Sequence, residues 1–202
     1  MLSCRLPAWL MTTRPAASAT RNASWHHLGS KQHIMEQQLY LLRHAKAEPW
    51  SPLGNDFSRP LSPKGGRHAL AVSSWAEEKL PVPDTVLCSP AKRTRETLAP
   101  LLAKWPQLLS TTDYIDSLYG ASLNMLLTLS EDAFSYSQRL LMVGHNPGFE
   151  HMLINVLRSN QAATIQKMAT GTLAVIEFSG GFKWEAANGN LLHLLRRKDL
   201  ST

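Results

Sequence analysis

Five basic side chains sit just past apolar runs or in the loops that follow them. Arg43 and His44 follow QLYLL, Arg59 lies in the next polar stretch, Arg93 comes shortly after TVLC-Ser89-Pro90, and His145 follows RLLMVG. Guanidinium forks match the oxygens of a phosphoryl group and stay charged at any working pH. Histidine loses its proton near neutrality, so an imidazole placed among arginines can attack phosphorus while they hold the oxygens. The same donors meet the charge that develops on the transferring group. Five basic groups so close would repel a divalent cation, so no metal site is expected at the two histidines.

These residues need a frame that brings them together. Gln38–Leu42 reads as a first short strand, and residues 45–61 as a polar, Pro-bearing loop. Ser62-Pro63 has an N-cap followed by proline at the first helical position, opening an amphipathic helix to about Lys79. Thr85–Cys88 is a second buried strand, and Ser89-Pro90 predicts a capped helix to about Lys104. A weaker strand near Ser110–Ile115, a loop through Tyr119-Gly120 and a helix from about Ser122 follow. Arg139–Val143 is another strand, and Gly144-His145-Asn146-Pro147 leads into a helix to about Arg158 with Asn146 as its cap. Strand alternating with helix predicts an α/β fold with a mainly parallel sheet. The end of the chain differs: Thr172–Phe178, Phe182–Glu185 and Leu191–Leu195, joined by Gly-rich turns, predict an antiparallel meander. In an open parallel sheet the carboxyl ends of the strands form one rim where ligands bind. Arg43, His44, Arg59, Arg93 and His145 are expected to converge there, with helix N-termini nearby.

Composition narrows the classes. The chain has 202 residues, 44% of them hydrophobic, enough for a real core. No stretch of about 18 apolar residues occurs, so no membrane partner is expected. Four of the 21 Lys and Arg residues fall in residues 1–35, which hold none of the 15 acids. The net charge of +6 is thus mostly a property of that stretch, and the remainder is not basic enough for a nucleic-acid binder. Residues 1–35 read as a disordered extension before a functional start at Met35; the alternative is a transit peptide, since they carry Arg and Ser and no acid. Residues 36–202 form the second expected domain. Two cysteines, Cys4 and Cys88, fit a reducing, cytoplasmic home, with mitochondrion or plastid as the alternative. A monomer is expected.

Four motifs stand in order: Arg43-His44, R-P-L-S-x-x-G at Arg59–Gly65, S-P-x-x-R-x-x-x-T at Ser89–Thr97, and G-H-N-P at Gly144–Pro147. In this order and spacing the chain resembles the histidine phosphatase superfamily, in particular the SixA-type phosphohistidine phosphatases, from about residue 37 to Leu200. The resemblance implies a three-layer, phosphoglycerate mutase-like sandwich. It implies that His44 becomes phosphorylated and that Arg43, Arg59 and Arg93 hold the phosphoryl oxygens, with His145 opposite and Asn146 beside them. Water then hydrolyses the intermediate, and no metal or organic cofactor is needed.

One position departs from the pattern. Phosphoglycerate mutases and many other relatives carry a glutamate general acid three residues before a Tyr-Gly pair; Asp116 holds that place here. Aspartate is one methylene shorter. An imidazole leaving group, with a pKa of about 6.5, needs far less acid help than an oxygen leaving group, for which water at roughly 15.7 is a guide. The substrate expected is therefore protein phosphohistidine, such as a histidine phosphotransfer domain. The alternatives are a small-molecule phosphomonoesterase and a non-catalytic phosphate- or phosphopeptide-binding module. Among blander readings, Arg59 could pair locally with Asp56, Arg95 would be solvated, Lys46 would be loop surface or pocket rim, and His68, His151 and His193 would be structural.

Overall fold

The computed structural model describes residues 36–165 and 167–200. The reading of residues 1–35 lies outside the described residues. Six strands form one sheet: β1 (Glu36–Arg43), β2 (Thr85–Cys88), β3 (Thr112–Tyr114), β4 (Arg139–Gly144), β5 (Leu173–Ser179) and β6 (Asn190–Leu195). Their order across the sheet is β3-β2-β4-β1-β5-β6. The first four are mutually parallel, whereas β5 runs antiparallel to β1 and β6 antiparallel to β5. The sheet is mainly parallel with an antiparallel C-terminal edge.

Alternation along the strands assigns the two faces. Leu39, Leu41, Leu140, Met142 and Ile176 pack with α3 (Leu123–Phe134) and α4 (Gly148–Val156). Tyr40, Leu42, Val86, Leu141, Val143 and Val175 pack with α1 (Pro63–Lys79) and α2 (Lys92–Lys104). Both faces of β1 and β4 are covered, which explains why those strands read as unbroken apolar runs. A one-turn helix, α5 (Ser159–Ala162), follows α4. No described helix is long and apolar enough to cross a membrane.

Local signals set several boundaries. Ser62 caps α1 by accepting from the Gly65 N–H at 3.1 Å, with Pro63 at the first helical position. Ser122 caps α3 by accepting from Met125.

Three expectations are corrected. Ser89 does not cap α2, which starts at Lys92 with Ala91 before it and no side-chain cap; the Ser89 hydroxyl goes to His145. Asn146 does not cap α4 either. The residue preceding that helix is Pro147, joined to Asn146 by a cis peptide bond, and the Asn146 amide bonds sideways. The segment Phe182–Glu185 is no strand: residues 184–186 form a 3-10 turn. The Phe182 N–H donates to Gln37 Oε1 at 2.7 Å, and its ring packs between Phe134 and Phe178. Its donor and its ring are used inward, so the edge is a single β5–β6 hairpin.

Candidate active site

The nucleophile position is fixed from the backbone outward. Arg43 is the last residue of β1, in register with Gly144 of β4, and the His44 N–H donates to the Gly144 carbonyl at 3.0 Å. The next N–H, of Ala45, donates to Thr97 Oγ1 at 3.0 Å, and that hydroxyl donates to the Arg93 carbonyl at 2.6 Å. The chain past His44 is thereby tied to α2. His44 Nδ1 lies 2.8 Å from the Ala45 carbonyl, which accepts only if Nδ1 carries the proton. Nε2 then keeps its lone pair. Burial, together with the charges of Arg93, Arg43 and Arg59, brings the His44 pKa down to about 4. At neutral pH the imidazole is uncharged, its one proton on Nδ1, and Nε2 can attack.

His145 faces it with ring centroids 5.1 Å apart. Its Nε2 lies 2.9 Å from the Ser89 hydroxyl, so the end of β2 orients the ring from the side. Burial, then Arg93 and His44, brings its pKa down to about 3. Nδ1 of His145 is buried and meets no protein partner.

The three arginines share that property. The Nε atoms of Arg43, Arg59 and Arg93 are buried with no protein acceptor, although buried polar groups are nearly always bonded. Their terminal nitrogens are held. Arg43 Nη1 donates to the Met168 carbonyl at 2.6 Å, and the Asn146 amide donates to the same carbonyl at 3.0 Å. Glu150 Oε2 accepts from both Asn146 and the Met168 N–H, locking this segment. Arg93 donates to the Asp56 carbonyl at 2.7 Å and to its carboxylate at 2.9 Å. Arg59 pairs with the other carboxylate oxygen of Asp56 at 3.2 Å, so the local pair read from sequence coexists with convergence on the site. Tyr119 donates to Asp56 Oδ2 at 2.6 Å, and its ring stands edge-on to His145 and Phe57. With that bond, and with Arg93 and Arg59 beside it, the Asp56 carboxyl is held below the usual carboxylate range.

Motif positions that carry no chemistry hold the loops. The Ser62 N–H and hydroxyl both donate to the Lys46 carbonyl, and Gly65 lies so close to that carbonyl that a Cβ would collide with it. Glu96 accepts from the Leu61 N–H at 2.6 Å, and the Lys92 N–H donates to the Phe57 carbonyl, fastening the Asp56–Leu61 loop to α2. Gly144 leaves room for the Phe149 ring, which a Cβ there would meet.

A family model described as histidine phosphatase superfamily (branch 1) matches residues 39–118. An uncharacterized protein of Mycobacterium tuberculosis is 31% identical over 145 residues, covering 69% of this chain and 88% of that protein. The chain belongs to the histidine phosphatase superfamily. A candidate phosphohistidine phosphatase SixA from Agrobacterium tumefaciens has a similar structure, with a TM-score of 0.69 and 29% identity over 79% of this chain and 97% of that one. A second, from Nakamurella, superposes with a TM-score of 0.68 at 29% identity over 80% and 96%. The protein is a SixA-type histidine phosphatase with a phosphoglycerate mutase-like fold.

Within this histidine phosphatase the structure brings together Arg43, His44, Arg59, Arg93 and His145. Asn146 shares the Met168 carbonyl with Arg43; its amide nitrogen is committed there and to Glu150, and its Oδ1 is buried with no protein partner. Asp116 opens a 3-10 turn, is exposed, and makes no side-chain bond to any of the five. Four contributors escaped the reading of the sequence. Ser89 looked like a cap, Glu150 carried no motif signal, and Tyr119 was read as loop. Asp56 was visible only as a partner for Arg59. Its place in the same loop, just ahead of the R-P-L-S-x-x-G motif, was the one available hint.

Proposed function

We propose that the protein removes a phosphoryl group from protein phosphohistidine through a covalent phosphohistidine on His44. In the first step the His44 Nε2 lone pair forms a bond to phosphorus while the phosphorus–nitrogen bond of the substrate breaks. The electron pair of that bond stays on the substrate nitrogen, and the ring, protonated from solvent at its other nitrogen, leaves as neutral imidazole. Arg43, Arg59, Arg93 and His145 supply N–H donors to the phosphoryl oxygens. In the second step water attacks phosphorus and gives up a proton to solvent, the electron pair of the phosphorus–nitrogen bond returns to His44 Nε2, and inorganic phosphate leaves.

The observation that carries the substrate class is the state of Asp56. Its carboxyl group is bonded directly to two of the site's arginines, and Tyr119, Arg93 and Arg59 favour its ionised form. An ionised carboxylate cannot protonate an alkoxide. A leaving group that needs little acid help suits such a site. The SixA neighbours, named for phosphohistidine, support the same choice. A histidine phosphotransfer-type domain is the partner this reading favours, met by a monomer, with a small phosphomonoester as the second substrate class.

For the compartment, the cytoplasmic reading stands beside an organellar one. An Arabidopsis relative, 26% identical over 189 residues and 86% of each chain, is named chloroplastic, which supports a transit role for residues 1–34.

The test is turnover of a phosphohistidine protein and of an aryl phosphate by the full chain and by His44→Ala. Wild-type turnover of the phosphohistidine protein, lost in the variant, is the expected result. Absence of turnover on both substrates would overturn the reading.

A further inference from the structure

A second hollow, of about 230 Å³, is lined by Lys46, Lys64, His68, Ala169, Thr170 and Arg197. It shares no residue with the phosphoryl site. Three cations and an imidazole line it, and no carboxylate does. Lys46, Lys64 and Arg197 form no ion pair among the described residues, unlike Lys92 and Lys104 on α2. His68 is only 7% exposed, and its Nε2 is buried with no partner. Like charges gathered in a concave site raise the local concentration of anions, and the three cations here are exposed to solvent. We propose that this hollow is a second anion site that takes a compact oxyanion, phosphate or carboxylate.

Its walls are the reverse of the backbone that holds the nucleophile. Lys46 is two residues past His44, and its carbonyl takes the Ser62 bonds that start α1. Ala169 and Thr170 lie between Met168, whose carbonyl receives Arg43, and Gly171, whose N–H donates to the carbonyls of Arg43 and His44. An anion bridging Lys46 and Lys64 to Arg197 would brace the segment on which Arg43 and His44 depend. The anion has two sources: it is free in solution, or it is a second acidic group on the substrate.

The experiment has an arm for each source. Calorimetric titration with inorganic phosphate uses the full-length Arg93→Ala variant, which weakens binding at the phosphoryl site and leaves binding outside it intact. A free anion predicts a binding event there that Lys64→Ala with Arg197→Ala weakens about tenfold or more. A substrate-borne anion predicts instead that Lys64→Ala with Arg197→Ala, in an otherwise intact chain, raises KM for a phosphohistidine protein about tenfold. In that case kcat and the KM for an aryl phosphate stay unchanged. This second arm rests on the proposed substrate. No effect of the pair on either phosphate binding or KM overturns the anion site. An enzyme inactive on both substrates whose phosphate binding still depends on Lys64 and Arg197 overturns the function and leaves the anion site standing.

Discussion

Arg93 grips Asp56 twice, donating to its main-chain carbonyl at 2.7 Å and to its carboxylate at 2.9 Å. The guanidinium that should hold a phosphoryl group thus already carries an internal anion, which orients it and at the same time repels an incoming one. Asp56→Asn keeps an oxygen acceptor for Arg93 and removes the charge. Two unit charges about 4 Å apart interact by about 1 kcal/mol in water, so inhibition by product phosphate should strengthen about fivefold. Inhibition constants for inorganic phosphate check this; weaker inhibition would make Asp56 purely a positioning group.

Thr97 is the joint between the nucleophile and α2. Thr97→Val removes the acceptor of the buried Ala45 N–H, and an unsatisfied buried donor costs about 1–3 kcal/mol. Urea unfolding should show a loss of that size, with a fall in kcat and little change in phosphate binding. Unchanged stability would mean that the Ala45 N–H finds another partner.

The pH dependence follows from two histidines. Folded values of about 4 for His44 and about 3 for His145 lie below the ordinary 6.5. Between those limits the unfolded chain binds more protons, so acid favours unfolding. The contribution is fully present above about 6.5 and is lost as pH falls through the two folded values. Stability should therefore decline from pH 6.5 toward 3, with a shallower decline in His145→Gln. The acid limb of kcat/KM should lie near the His44 value. An acid limb at 6.5 would contradict the neutral-imidazole account.

The resemblance predicts a proton-donor place for Asp116, yet its side chain bonds to none of the convergent residues. Asp116→Asn should leave turnover of a phosphohistidine protein unchanged. A selective loss on an aryl phosphate would identify Asp116 as a proton donor for oxygen leaving groups.

What the sequence disclosed and what it hid divide along physical lines. Leu39 to Leu42 and Leu140 to Val143 are buried on both faces, so they announce themselves as apolar runs, and Ser62-Pro63 and Ser122 are local caps. Arg43, His44, Arg93 and His145 are legible because each lies close behind a strand end, and Arg59 because it opens a motif in the first loop. Ser89 and Asn146 misled because a residue suited to capping was read as a cap, while long-range bonds to His145 and Met168, and for Asn146 a bond to Glu150 one turn on, claimed their side chains. Phe182 misled because aromatic residues between glycines look like strand, although its ring fills a core site between Phe134 and Phe178. Tyr119 and Glu150 act across more than 15 residues of chain, where spacing carries no signal.

On this mechanism His44 carries the phosphoryl group during turnover. Rapid acid-free quenching of the full chain during turnover of a phosphohistidine protein, followed by peptide mass spectrometry at alkaline pH, tests it most directly. The expected result is an acid-labile, base-stable phosphoryl group on the peptide holding His44, absent in His44→Ala and present in Asp116→Asn. A phosphoryl group found on His145 instead, or full turnover by His44→Ala, would contradict it.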